Sequence, residues 1–315
     1  MPYLGGQPGC SVAGTPGCAT VARLLGGNPA GSATHMTSWL LVEQPGPWSA
    51  TALETTLAEV LDDARLHTLR AAGLRPLLIR RPGRHARADD APVTVFVGSG
   101  RPGDHWLERI ELSDRSGLGR LDLEAVAEGR PGHGEPVDGP LFLVCTHGAK
   151  DMCCAVLGRP VAKILADEHP DRMWEVSHVG GDRWAGNLLV VPDGFLHGQL
   201  GPDDARLVTK AALAGQVRPD HLRGRTSAVT AWEQCAEIAV RKHTGLTGID
   251  DVTAVHVQFG DATNSRTVMV TARGRRFEVV VEHQEAVAAD GNRCTGHLEL
   301  AAYSAAEIRP AQPSA

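Results

Sequence analysis

No stretch of this 315-residue sequence approaches the ~20 consecutive apolar residues that cross a bilayer. Met1 to Gly9 carries neither the basic nor the apolar region of a secretory leader, so a cytoplasmic protein without a membrane partner is expected. Lysine is scarce, occurring only at positions 150, 163, 210 and 242, and the formal net charge is −6 with a pI near 6.2. That balance excludes sequence-independent nucleic-acid binding, which needs a basic surface to neutralise phosphates. The seven cysteines, at 10, 18, 145, 153, 154, 235 and 294, are odd in number and scattered through a chain large enough to fold without staples. They do not make a disulfide framework. In a reducing compartment such residues point to metal or thiol chemistry.

The apolar fraction of 42% is ordinary for a globular protein, and the length suits two or three compact units. Residues 1–36, rich in Gly, Pro, Ala, Ser and Thr, read as a loosely ordered lead-in. Residues 37–139 form an N-terminal α/β unit: a strand at Ser38 to Val42, a turn at Gln44 to Pro47, and an amphipathic helix from Ala52 to Ala72 stopped by Gly73. Strands at Leu74 to Ile79 and Val93 to Val97 follow, separated by a basic stretch from Arg80 to Arg87 that is a solvated surface or a dock for an acidic partner. Residues 114–139 read as a linker or a pair of loops.

Residues 140–222 are the most legible. Strand Leu141 to Cys145, helix Ala155 to Asp167, strand Met173 to His178, strands Leu188 to Val191 and Phe195 to Gln199, and helix Pro202 to Ala214 give a helical crossover followed by a hairpin, as in thioredoxin-like domains. Residues 223–315 form a C-terminal α+β extension, with a helix carrying Ala231, Cys235, Ile238 and Ala239 on one face, an antiparallel hairpin at Val268 to Val281, and a final strand from His297 to Ala301. Cys235 is expected in the core. The two α/β units read as distant cousins in structure, without a repeat of clear period in sequence.

Three groups of ligand-type residues fall in the central unit: Cys145 with His147, Cys153 with Cys154, and His178 with Asp182. A right-handed crossover places the C-terminal ends of strands Leu141 to Cys145 and Met173 to His178 at the same sheet edge, where ligands of open α/β sheets bind. Cys153 and Cys154 stand at a helix start, whose unpaired N–H groups favour thiolates. Spacing alone gives a thiol and imidazole site.

The run Cys145-Thr-His-Gly-Ala-Lys-Asp-Met-Cys-Cys154, the run His178-Val-Gly-Gly-Asp-Arg-Trp-Ala-Gly-Asn187, and Ser38-Trp-Leu-Leu-Val-Glu-Gln-Pro-Gly-Pro-Trp48 resemble the sucrase/ferredoxin-like family, most strongly between residues 140 and 200. The resemblance implies a thioredoxin-like ferredoxin with a [2Fe-2S] cluster bound by a cysteine pair and a histidine pair. It assigns Cys145, Cys154 and His178 as ligands and puts Asp182 where the second histidine falls. The fourth ligand is then Asp182, Cys153, His147 or a distant cysteine. The implied role is electron transfer between redox donor and acceptor proteins, which the sequence does not identify. The alternative is a thiol oxidoreductase using Cys153 or Cys154, although this unit has no Cys-x-x-Cys; a third reading is a cluster-free scaffold that binds a partner. Asn187 and Trp184 are read as stabilising the glycine loop, and Cys10, Cys18 and Cys294 as secondary thiols. No carboxylate pair suits glycosidase chemistry.

Overall fold

The computed structural model describes residues 11–12, 15–83, 91–258, 264–292 and 296–311. The chain opens with a small hairpin, β1 (Ser11–Val12) and β2 (Thr15–Pro16), followed by α1 (Cys18–Leu24). The lead-in expected to be loose thus contains a helix. The small residues that suggested disorder are what let it pack closely: Cys18, Ala19 and Ala22 are buried against Cys153, Trp184 and Ala185.

The next stretch gives β3 (Ser38–Glu43), α2 (Ala52–Ala58), α3 (Asp63–Ala71), β4 (Leu74–Arg80), β5 (Val93–Arg101) and β6 (Asp104–Leu112). One long helix was expected between Ala52 and Ala72. It is broken because the Asp62 carboxylate accepts the Arg65 N–H at 2.7 Å and starts a new helix, a local bond that competes with continuation of the first. Residues 114–139 also carry structure: a 3-10 turn at Arg115–Arg120, α4 (Leu123–Glu128) and the short β7 (Glu135–Pro136). Leu118, Leu123 and Val126 pack in one core with Leu40, Leu57 and Val95, so this segment is not a free linker.

The central unit runs β8 (Leu141–Cys145), α5 (Met152–Glu168), β9 (Met173–Val176), β10 (Leu188–Val191), β11 (Phe195–His197), α6 (Pro202–Leu213) and β12 (Leu222–Arg225). β8 and β9 are parallel, with β10 antiparallel to β8 and β11 antiparallel to β10, as the crossover and hairpin required. Helix α7 (Ala231–Thr244) then packs Cys235, Ala236 and Val240 on a four-stranded antiparallel sheet of β13 (Val252–Gln258), β14 (Ser265–Ala272), β15 (Arg275–Asn292) and β16 (Gly296–Pro310). The fold is α/β, with a large mixed sheet and this second sheet.

The strands from residues 38 to 225 form one ten-stranded sheet in the order β12-β11-β10-β8-β9-β4-β3-β5-β6-β7. Its centre is an antiparallel contact between β9 and β4, Ile79 opposite Val176 and Arg80 opposite Glu175. Read outward from that contact, β4-β3-β5-β6-β7 repeats β9-β8-β10-β11-β12, each half with one parallel pair followed by antiparallel strands. The two halves share a plan. Because the paired residues are the last of β4 and β9, the C-terminal ends of these strands overlap, and the loops following β3 and β8 meet. Among the described residues no helix is long and apolar enough to cross a membrane.

Candidate metal centre

β8 is apolar and buried along its whole length, and Cys145 is its last residue. The chain then turns to α5, where Asp151 caps the helix by accepting the Cys153 N–H at 2.7 Å. Consecutive helical residues point about 100° apart. Cys154 therefore faces the core that holds Cys145 and Val176, while Cys153 faces α1 and Trp184. One turn further along, Gly158 lies so close to β8 that a Cβ there would stand 2.1 Å from the Cys145 carbonyl oxygen. This approach sets the helix start against the strand end.

His178 follows β9 by two residues, with its Nδ1 3.9 Å from the Cys154 Sγ. The donor atoms of Cys145, Cys154 and His178 all lie within 4.8 Å of one another; both thiols are buried and the imidazole is partly exposed. The thiols share a hydrogen bond. Donation from Cys154 holds the Cys145 thiol well below its usual range, with further help from His178, and the same contact pushes Cys154 up.

The loop carrying His178 is fixed by a residue that sequence reasoning passed over. Arg223 lies on strand β12, in a stretch rich in Arg and Gly, and is 1% exposed. The guanidinium donates to the Gly180 carbonyl (2.8 Å), to Asn187 Oδ1 (2.9 Å), to Ser32 Oγ (3.1 Å) and to the Ser32 carbonyl. Asn187 in turn donates to the Gly181 carbonyl at 3.0 Å. Gly181, at φ +70°, is the point of closest approach, since a Cβ there would meet the Arg223 guanidinium at 2.3 Å. Burial pulls Arg223 down, to about 9, while Cys145, Cys154 and Asp182 favour its charge, so it is a cation at neutral pH. Asn187 and Trp184 brace the loop as expected, the tryptophan from a buried position.

On the other flank, Thr146 donates to Glu175 Oε2 at 2.9 Å, and Arg80 pairs with the same oxygen at 2.6 Å while lying over the Trp48 ring. Arg80 and Arg81 were expected on an exposed basic stretch. Arg80 is instead the last residue of β4, and Arg81 donates to the carbonyls of Pro170 and Met173. Residues 84–90 lie outside the described set.

The candidates for a fourth ligand separate into two places. Cys153 and Asp182 both meet Cys18, whose Sγ is 3.6 Å from the Cys153 Sγ and 3.4 Å from Asp182 Oδ2. Cys18, Cys153 and Asp151 form a second donor group. The hydrogen bond with Cys153, together with burial, pushes the Cys18 thiol up. His147 sits elsewhere, 4% exposed, its Nε2 2.8 Å from the Ser49 carbonyl and its ring edge-on to Trp48. Cys235 lies in the C-terminal core, as expected, and Cys10 and Cys294 fall outside the described residues.

This chain is similar to the Altered inheritance of mitochondria protein 32 of Meyerozyma guilliermondii, 30% identical over 95 residues, which cover 27% of this chain and 34% of that protein. The chain therefore matches about a third of that relative's length. No solved structure matches it. The sucrase/ferredoxin-like family model matches residues 29–224, which take in all of the ten-stranded sheet but its last residue and all three residues of the compact Cys/Cys/His group, and the chain belongs to that family.

Proposed function

We propose that the protein is an iron-sulfur electron carrier in which Cys145, Cys154 and His178 hold a [2Fe-2S] cluster. The observation that supports this is the convergence of two buried thiols and one imidazole, from three separate elements, within 4.8 Å at one edge of the sheet. The donor set fits iron, since thiolate and imidazole are the ligands that iron-sulfur centres use. Such a cluster, when bound, supplies one-electron transfer.

The chain's own residues determine where that chemistry meets solvent. Cys145 and Cys154 are shut away in the core, and His178 is the member of the group that water reaches. Its Nδ1 is the ring nitrogen turned toward Cys154, at 3.9 Å from the thiol sulfur. Neutral imidazole in place of an anionic thiolate raises the reduction potential above that of an all-cysteine ferredoxin. The partners of this reading are proteins that donate and accept single electrons.

The thiol-oxidoreductase alternative needs an accessible thiolate. Cys153 and Cys154 are fully buried, and the hydrogen bond to Cys145, together with burial, pushes the Cys154 thiol up, the reverse of what a nucleophile requires.

Anaerobic purification tests the proposal. The expected result is coloured protein with about two irons and two labile sulfides per chain, as a [2Fe-2S] centre requires. Cys145→Ser, Cys154→Ser and His178→Ala should each lose or alter the visible spectrum, and Cys235→Ser should not. Colourless, iron-free wild-type protein would sink the reading, and equal iron in all four variants would refute the ligand assignment.

A further inference from the structure

The geometry points to His147 as the fourth ligand of the metal centre, an inference that rests on the iron-sulfur reading of the site. Three features carry it: burial, the fixing of one ring nitrogen, and the lack of any partner for the other. His147 is 4% exposed, and its Nε2 is committed to the Ser49 carbonyl at 2.8 Å. A carbonyl only accepts, so Nε2 carries the proton and the lone pair sits on Nδ1. Nδ1 is buried, and no partner reaches it among the described residues. Leaving a buried polar atom unpaired costs about 1–3 kcal/mol, and beside a group of metal-ligand side chains a bound ion would remove that cost.

This is the arrangement that metal-bound histidines show, with the non-ligating N–H held by a backbone carbonyl so that tautomer and ring direction are set in advance. The edge of Trp48, 5.6 Å away between ring centres, fixes the ring further. His147 follows Cys145 by two residues, in the turn between β8 and α5. It lies outside the compact group of three. A ligand set that would serve two irons need not form one compact group.

The rival donors are already engaged with each other. Cys153 and Asp182 both contact Cys18, at 3.6 Å from its sulfur and 3.4 Å through Oδ2. Choosing His147 makes the centre two cysteines and two histidines, with Asp182 left outside.

The test counts nitrogen ligands directly. Protein labelled with 15N-histidine is reduced and its nitrogen couplings are measured by pulsed electron paramagnetic resonance. Wild type is expected to show two coupled histidines, and His147→Asn one. His147→Cys should retain iron and restore a four-ligand centre, with one coupled histidine and a lower potential, since a thiolate replaces an imidazole; this variant separates ligand loss from misfolding. Asp182→Ala and Cys153→Ser should leave two couplings. Wild-type protein with a cluster but one coupled histidine, unchanged in His147→Asn, overturns the inference while leaving the iron-sulfur reading intact. A spectrum that shifts with Asp182→Ala or Cys153→Ser and not with His147→Asn does the same. Iron-free wild type overturns both.

Discussion

Arg223→Ala is expected to be strongly destabilising although Arg223 is not one of the proposed ligands. The guanidinium serves Gly180 O, Ser32 O, Ser32 Oγ and Asn187 Oδ1, all around a fully buried cation. Truncation strands those acceptors, and each buried group left unpaired costs about 1–3 kcal/mol. Because the groups share one network and water enters part of the space, the sum is sublinear, and roughly 3–6 kcal/mol is expected. That is a large part of the ~5–15 kcal/mol that holds a folded protein together. Urea denaturation measures it, with Arg206→Ala as the control. Arg206 is exposed and pairs with Glu168 and Asp203 in solvent, so its loss should leave stability close to that of wild type. Iron content provides a second measure, because loosening the Gly180 and Gly181 loop releases His178, and substitutions behind a ligand typically weaken metal binding by about 10–100-fold. Arg223→Lys should fall between, since one ammonium cannot span acceptors that the planar fork reaches together. An Arg223→Ala protein within about 1 kcal/mol of wild type, with undiminished iron, would refute the claim that this arginine holds the loop.

Two other substitutions probe the same frame. Burial holds His197 down to about 4, with Nε2 3.1 Å from the Arg218 carbonyl, so the unfolded chain binds the extra proton and stability falls as the pH drops from about 6.5 toward 4. The loss approaches roughly 3 kcal/mol; His197→Gln should remove it, and identical acid sensitivity of variant and wild type in urea melts would contradict the account. Gly158→Ala raises helix propensity by about 1 kcal/mol yet drives a methyl into the Cys145 carbonyl, so it should lower stability on balance and shift the spectrum of the metal centre. A more stable variant with an unchanged spectrum would show that α5 is free to slide on β8.

How much of this could be read in the sequence follows from how local each feature is. The apolar run Leu141 to Val144, the glycine loop after His178 and the intervening helical pattern are local signals, and together with the rule for parallel crossovers they place Cys145, Cys154 and His178 at one edge. The break between α2 and α3 was also legible, in the capping aspartate at 62, but the continuing apolar period outweighed it. Cys18 and Arg223 had no local mark. A cysteine in a Gly and Pro rich lead-in meets Cys153 across 135 residues, and a buried arginine in an Arg and Gly rich stretch looks like any surface arginine until the loop that closes over it is known. The joining of the two halves rests on two residue pairs, Ile79 with Val176 and Arg80 with Glu175, and no periodicity announces a contact so short.

That contact also divides labour between the halves. The second half supplies the thiols and imidazoles, whereas the first has Glu43 at the end of β3, where the second has Cys145 at the end of β8. What the first half contributes is shelter: Trp48 and Ser49, in the loop after β3, reach across the centre of the sheet to cover and orient His147. On the iron-sulfur reading, one copy of the plan would bind and the other would help to cover a residue beside the bound group. If His147 is a ligand as proposed, a residue 98 positions upstream would tune the potential of the centre through a hydrogen bond alone.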